Sequence, residues 1–558
     1  MSKVMSLNEA IGLIRDGDRV ATSGICMSGV PEEIMAGIEK SFLETGKPRD
    51  LNMIFAAGQG CWDDIHAYQH MAHEGLVASA IGGHFGTCKS FGKLIEDNKI
   101  IGYNMPQGVI VDLFHEAVKG MPGHITKLGL KTFVDPRIEG GKLNARTTED
   151  IVKVIEIDGE EYLMYKTPKI DVALIRGTSA DAYGNISFEE EALPVDMRLI
   201  AMAAKACGGK VIVQVKYSCE RLMTDKVVIP GIFVDAVVVS EEPEKNHRQT
   251  QLHFYDPSLS GRVFVAQDAI ASLPLNAKKV ISRRAAMELT RGAVINLGVG
   301  TPEGIANIAA EEGVSDLITM TSESGAVAGV PLGGKAFGSV QNAWAIVEQE
   351  VQFDFYDGGG LDVSYLGLAE ADRVGNVNVS HFGTNVTGCG GFINISQTTQ
   401  NLVYCGTFTA GAQNGIMSIA NTAAVVGFGS IVTATPAFGT LAEIVQDFAQ
   451  NGNAYAAVAI SVAALAGISG SASGGLGIAI PIAADIFLPM GINPEALHRI
   501  AVISSSALDS LPHNGFVNTC LQYTHTNHKE AYFDIFIVSV AVTIVESILV
   551  VILFSVMG

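Results

Sequence analysis

Between Ala412 and Gly558 the chain has almost no positive charge: Arg499 and Lys529 are its only basic residues there. Soluble domains of that length do not normally manage with so few, so the last quarter is a different kind of protein from the rest. The whole chain also lacks a basic excess. It carries 37 Lys and Arg against 58 Asp and Glu, a net charge of -21, which excludes nucleic acid as a partner because a phosphate backbone calls for a basic stripe. No C-x-x-C pair occurs among the eight cysteines. Scattered cysteines fit a reducing compartment and argue against a zinc or iron–sulfur site, so no metal is expected. The opening residues lack the basic-then-apolar order of a signal peptide. Instead Ser6 and Glu9 form a capping-box pattern before an amphipathic stretch, and the front of the chain reads as cytoplasmic.

Up to about residue 411 short β-branched runs (RVATSG, VIVQV, FVDAVVV, GAVINLGVG) alternate with amphipathic stretches, the pattern of an α/β protein. This part also repeats itself. Residues 171–187, DVALIRGTSADAYGNIS, align without a gap on 362–378, DVSYLGLAEADRVGNVN, pairing Asp171 with Asp362, Asp181 with Asp372, Gly184 with Gly375 and Asn185 with Asn376. Residues 17–34 echo 291–305, each running from a strand through glycines to Pro-Glu, as Pro31-Glu32 and Pro302-Glu303. The repeat implies two related α/β halves, 1–260 and 261–411, with a site expected in the cleft between them. Residues 412–558 read as an all-α transmembrane region. Residues 415–440 and 454–484 are uncharged, and 537–557 are uncharged apart from Glu546. A span needs about 20 such residues, which gives two spans with room for up to five. The run GISGSASGGLG (467–477) is either irregular backbone lining a cavity or a small-residue packing face.

Several segments could carry chemistry. In AVINLGVGTPEGIANIAAEEG (293–313) a strand ends at Gly298-Val299-Gly300 before a helix predicted to start at Pro302. Glycines there admit a ligand to free backbone N–H groups, although a tight turn packing a helix on a sheet is the plainer explanation, and the spacing Gly298, Gly300, Gly304 is not the G-x-G-x-x-G of dinucleotide folds. In LITMTSESGAVAGVPLGG (317–334) an apolar strand delivers Glu323 into a loop of Ser, Gly and Ala. A carboxylate among small neighbours can be approached closely, as a nucleophile must be; an isolated loop Glu is ordinarily just solvated. In FDFYDGGGLD, starting at Phe353, a predicted strand precedes Gly358, Gly359 and Gly360, whose N–H groups could converge on an oxyanion or form a flexible turn. Gln107, in Asn104-Met105-Pro106-Gln107-Gly108, offers a side-chain amide donor.

Taken together, these segments resemble the family I CoA-transferases, specifically the bacterial single-chain acetate or propionate enzymes. The likeness rests on GHFGTCKSFGKLIEDNKIIGYNMPQGVI (83–110), KLGLKTFVDPRIEGGKLN (127–144), RGTSADAYGNIS (176–187), LGVGTP (297–302), SESGAVAGVP (322–331) and GGFINISQ (390–397). The resemblance implies that Glu323 is the nucleophile, with coenzyme A as cosubstrate, short-chain carboxylic acids as partners, and a homo-oligomer. It implies oxyanion or CoA contacts from Gln107, Gly298, Gly300 and Gly358–Gly360. Relatives continue for roughly another hundred residues past the CGTFTAG segment (405–411), so the second half is expected to be truncated. The tail resembles the C-terminal part of the gluconate-permease family of proton symporters, through NGIMSIANTAAVVGFGS (414–430), AGISGSASGGLGIAI (466–480) and ALHRIAVISSSALDSLPHNGFVNT (496–519). In a complete permease Asp509, His513 and Asn514 would be candidates for the transport path; in a fragment they are more simply a loop between spans. The resemblances imply a cytoplasmic transferase with its tail in the inner membrane. The alternatives are a symporter fragment and an inactive fusion of two incomplete proteins.

Overall fold

The computed structural model describes residues 3–406 except Asp64, 267–271, Arg373 and Thr384, and 452–557 except scattered positions between 470 and 525. The chain divides into two compact units, Met1–Gly406 and Thr407–Gly558.

The first unit contains two large sheets, beside smaller ones of two or three strands. In one, β1 (Arg19–Thr22), β2 (Leu51–Phe55), β3 (Val77–Gly82), β4 (Ile101–Asn104), β5 (Val172–Asp181), β6 (Lys210–Cys219) and β7 (Ala236–Val239) lie in the order β7-β6-β5-β1-β2-β3-β4, every neighbour parallel. Parallel strands are covered on both faces and therefore read as unbroken apolar runs. All ten residues of β5 are buried, including Arg176, whose guanidinium meets the Glu191 carboxylate at 2.6 Å. The second sheet holds β8 (Val294–Leu297), β9 (Thr319–Thr321), β10 (Ala326–Val327), β11 (Ala345–Ile346), β12 (Val363–Gly367) and β13 (Asn401–Cys405), in the order β11-β10-β9-β8-β12-β13. Here β9, β8, β12 and β13 are parallel, and the short β10 and β11 run antiparallel at one edge.

The internal repeat is visible atom by atom. The Asp171 carboxylate accepts from Arg19 N at 3.0 Å, and the Asp362 carboxylate accepts from Val294 N at 2.8 Å, so each aspartate ties the start of one strand to its neighbour. Ten residues on, Asp181 Oδ1 accepts from the N–H groups of Tyr183 and Asn185 while Asn185 donates its side-chain amide to Oδ2. Asp372 does the same with Val374 and Asn376. An Asx turn needs a short side-chain acceptor two residues before the N–H it satisfies, which is why both repeats keep Asp and Asn at these positions. In this pseudo-symmetry β8 matches β1, β9 matches β2, β12 matches β5 and β13 matches β6. The first half has β7 beyond β6. Among the described residues β13 is the last strand of the second sheet.

The helices include α1 (Glu32–Thr45), α2 (Gln107–Lys119), α3 (Gly304–Glu311), α4 (Gln349–Asp357) and α5 (Phe392–Thr398); of these, α2 and α5 reach the cleft through Gln107, Phe392 and Ile395. The largest buried cluster joins Val109, Leu113 and Phe114 of α2 to Phe353 and Tyr356 of α4 and Ile393 of α5. The two halves therefore share a core beneath the cleft. The strand expected after Phe353 is instead the end of α4: Phe353 and Tyr356 are buried three residues apart while Asp354 and Phe355 are exposed, the spacing of a helical face. The capping box at Ser6 is present, with Glu9 N donating to Ser6 Oγ and the Glu9 carboxylate accepting from Ser6 N at 2.9 Å.

In the second unit, helices Ala454–Ser469 and Pro494–Ser505 precede a long helix starting at His528. Among the described residues one helix, His528–Val556, is long and apolar enough to cross a membrane: 29 residues with a mean hydropathy of 2.8. The span expected at 415–440 lies outside the described residues. The uncharged stretch from 454 contributes a helix of 16 residues, short of a span.

Candidate active site

Strand β9 ends at Thr321, and the next five residues form a tight turn with Glu323 at its apex. Ser322 N donates to Ala326 O at 2.9 Å and Gly325 N to Ser322 O at 3.0 Å. Gly325 has φ 109°, and a Cβ there would lie 2.0 Å from Val347 O, so only glycine closes this turn. Ser324 Oγ donates to Gly338 O at 2.6 Å and anchors the loop from beneath. The turn carries Glu323 into a cavity of about 400 Å³ between the halves.

The opposite wall is built from two interlocked loops. Asn104, fully buried at the end of β4, donates its amide to the carbonyls of Gly82 and Gly83 and accepts from Cys389 N at 3.0 Å. Gly390 N donates to Gly83 O at 2.8 Å, and Gln107 N donates to Gly390 O at 2.9 Å. These bonds bring Gly391 against the glutamate: a Cβ on Gly391 would lie 2.4 Å from Glu323 Oε2. Gln107 is 1% exposed and lines the cavity, and its Nε2 is a buried donor without a hydrogen-bond partner. An orphaned buried donor of this kind costs stability unless a ligand oxygen satisfies it. Further along α5, Asn394 accepts from Gly108 N at 3.1 Å and donates to both oxygens of Asp357 at 3.1 and 3.0 Å. The carboxylate thereby fixes which end of the Asn394 amide faces α2.

Burial pushes the Glu323 carboxyl up to about 7. Burial likewise holds His84, on the same wall, down at about 4, so its imidazole is neutral at physiological pH.

Glu323, Gln107 and Gly298 all line this cavity, and the other expected glycines do not. Gly300 is exposed, with open space where a Cβ would sit, and the helix after it starts at Gly304 rather than at Pro302. The oxyanion role expected of Gly358, Gly359 and Gly360 is corrected. They close the C-terminus of α4, where their N–H groups donate to the carbonyls of Asp354, Tyr356 and Phe355 and have nothing left to offer a substrate. Of the permease-like residues, His513 lies outside the described residues. Asp509 accepts from Ser510 Oγ at 2.9 Å, and Asn514 donates to the Asp509 carbonyl, the local bonding of a turn. Reading the sequence alone passed over Asn104, Gly391 and Asn394. All three stand within segments whose resemblance was noted, but their importance depends on partners on other loops: Cys389 for Asn104, Glu323 for Gly391 and Gly108 for Asn394.

Comparison with known proteins supplies a family for this architecture. The model of the coenzyme A transferase family matches residues 4–240. The caffeate CoA-transferase of Acetobacterium woodii is 46% identical over 381 residues, covering 68% of this chain and 72% of that protein. The acetate CoA-transferase YdiF of Escherichia coli K12 is 41% identical over 381 residues, covering 67% and 70%. The chain belongs to the CoA-transferase family. The solved acyl-CoA transferase YdiF of E. coli O157:H7 matches the fold with a TM-score of 0.68 at 39% identity, covering 74% of this chain and 78% of that one, and its thioester complex with CoA matches with a TM-score of 0.67. The transferase unit is thus an enzyme of this class, with coenzyme A thioester as substrate. The tail has its own relative: the uncharacterized transporter YxjC of Bacillus subtilis, 37% identical over 145 residues, which are 25% of this chain and 29% of the transporter.

In the transferase, removing the Asn394 amide should leave Gly108 N and Asp357 without partners. Asn394→Ala is expected to lower stability by about 1–3 kcal/mol and to reduce kcat more than it raises KM, read by thermal unfolding and steady-state kinetics. Were kcat unchanged in folded protein, Asn394 would serve stability alone.

Proposed function

We propose that the transferase moves CoA between an acyl-CoA and a free short-chain carboxylic acid by way of covalent intermediates on Glu323. The observation that supports this most directly is the placement of that carboxylate. It stands on a rigid turn inside the cavity, with Gly391 against its Oε2 and the unpartnered amide of Gln107 in the same wall. The Glu323 carboxylate attacks the acyl carbonyl, the C–S bond breaks, and CoA leaves as thiolate, giving a mixed anhydride. The thiolate then attacks the glutamyl carbonyl and releases the first acid as carboxylate, leaving a glutamyl-CoA thioester. A second carboxylate reverses both steps and departs as its CoA ester. Each attack places negative charge on a carbonyl oxygen, which Gln107 Nε2 is suited to receive. One thioester is exchanged for another, so neither a metal nor a nucleotide is required. Names of relatives favour an acetate-type acid, with caffeate marking how large an acyl group this architecture can serve elsewhere.

Incubation with acetyl-CoA followed by hydroxylamine should convert Glu323 to a hydroxamate found by peptide mass spectrometry. An unmodified Glu323 in protein that still turns over would refute the assignment, and absence of turnover would favour the inactive fusion.

The nucleophile must be ionised, so its elevated pKa has two consequences. First, kcat/KM should rise with pH through a midpoint near 7, the value burial imposes on Glu323. Second, the folded state binds more protons than the unfolded chain between the ordinary value of 4.5 and about 7. Stability from this group is present below 4.5 and is lost as pH rises through 7. Glu323→Gln should therefore raise the unfolding temperature at pH 8 and not at pH 4, and equal shifts at both would contradict the titration.

For the tail we infer membrane attachment through His528–Val556. A helix of 29 residues is about 43 Å long, against about 30 Å of hydrocarbon. The permease-like match is 29% of its relative and supports a membrane segment rather than a transporter. Alkaline carbonate should leave the protein in the membrane pellet; release into the supernatant would exclude a spanning helix.

A further inference from the structure

One loop of the first half gathers a thiol, a carboxylate and an imidazole at a single point beside the substrate cavity. Cys61 Sγ is 2.6 Å from Asp63 Oδ2, His66 Nδ1 is 2.8 Å from the same oxygen, and Sγ is 3.8 Å from Nδ1. The remaining oxygen of Asp63 is occupied, accepting from the N–H groups of Ile65 and His66 at 3.1 and 3.2 Å. The carboxylate is therefore turned so that Oδ2 alone faces the other two groups. Cys61 is buried, while Asp63 and His66 each keep 21% of their side chains exposed, which leaves one side of the group open to solvent.

We propose that Cys61, Asp63 and His66 form a binding site for a zinc-like divalent transition-metal ion. The donor set carries the choice of ion. One thiolate, one imidazole and one carboxylate suit zinc or cobalt, whereas magnesium and calcium take oxygen ligands. Three protein ligands leave a fourth position for water. In a tetrahedral zinc site the ligand atoms stand about 3.3–3.6 Å apart, from bond lengths of about 2.0–2.3 Å. The Sγ–Nδ1 separation of 3.8 Å is slightly longer than that, and the two shorter edges open by under about 1 Å if Asp63 swings outward. The backbone bonds to Oδ1 are the outer support that orients a ligating carboxylate. Sequence reading missed the group because Cys61-Trp62-Asp63 and His66 have a C-x-D-x-x-H spacing rather than C-x-x-C.

Binding requires Cys61 to give up its proton, so one metal ion should release one proton to solvent. Because the ligand is the thiolate, metal affinity should climb with pH. Trp62, between two of the ligands, has φ 59° and lines the cavity that holds Glu323. An ion here would brace that wall without entering the transfer chemistry, and the site stands or falls independently of the role of Glu323.

The test uses the full-length protein in detergent, stripped with chelator and titrated with cobalt(II) at pH 8. The expected result is one equivalent bound, with thiolate-to-cobalt charge-transfer absorption, one proton released, and displacement by zinc. His66→Ala should weaken binding at least 10-fold, and Cys61→Ser should abolish the charge-transfer band, with thermal unfolding confirming that each variant is folded. If Cys61→Ser does not fold, His66→Ala and the proton count decide. Absence of the charge-transfer band in the unaltered protein overturns the site, as does a band undiminished in folded Cys61→Ser.

Discussion

Glu323→Ala is expected to reduce CoA transfer by about 10⁴-fold or more in kcat, the scale on which loss of a covalent nucleophile is usually felt. Affinity for acyl-CoA should change little, because the rest of the cavity remains. The variant should also be folded: the turn that carries the glutamate is held by Ser322, Ser324 and Gly325 through backbone bonds and the Gly338 carbonyl, none of which needs the glutamate side chain. Steady-state assay with acetyl-CoA and propionate, next to a direct binding measurement, checks both halves of the expectation. Undiminished transfer by the folded variant would remove Glu323 from the reaction.

Gly391→Ala tests the geometry around that carboxylate rather than its chemistry. The added Cβ would come within 2.4 Å of Glu323 Oε2, so one of the two must move, and the free end of a flexible side chain yields more readily than backbone tied to its neighbours. The cost should fall on the nucleophile. A displacement of about 1 Å in a reacting group is worth roughly 10²-fold in rate, so kcat should drop by about that factor while the unfolding temperature changes only slightly. The C-terminus of α4 offers a control, because Gly358 bonds within its own helix and lies outside the cavity. Gly358→Ala should leave kcat within a factor of two. Equal losses in both variants would mean that glycine flexibility in general, and not the contact with Glu323, sets the rate.

The contrast between these two glycine segments explains what could be read in advance. Gly358–Gly360 come after the run FDFY, too short and too apolar to distinguish a buried strand from the last turn of a helix by its pattern. At the end of a strand their N–H groups would be free; at the end of a helix the helix's own carbonyls claim them. Gly391 carried no such local signal, because what makes it matter is the side chain of Glu323 on a different loop. The internal repeat was legible for the opposite reason. Asp171 with Arg19, and Asp362 with Val294, make one local device twice, and a device built from a carboxylate at a fixed position leaves its mark in the letters. Cys61, Asp63 and His66 fall between these cases: they are close in sequence, yet only a loop that folds back on itself brings three donor atoms to one point.

By itself the sequence determined that the chain has two chemically different parts, that the first is an α/β repeat, and that a glutamate stands on a loop of small residues. Those features are encoded in composition, alternation and spacing, which survive without knowledge of what touches what. Only the tertiary structure decided that Gln107 and Gly391 line the cavity, that Asn394 ties α5 to α2 behind it, and that Gly300 and Gly358–Gly360 stay outside. The reason is physical: a donor, a glycine or an amide acquires its role from the partner it meets, and here those partners come from other loops and, for Asn394, from the other half of the fold.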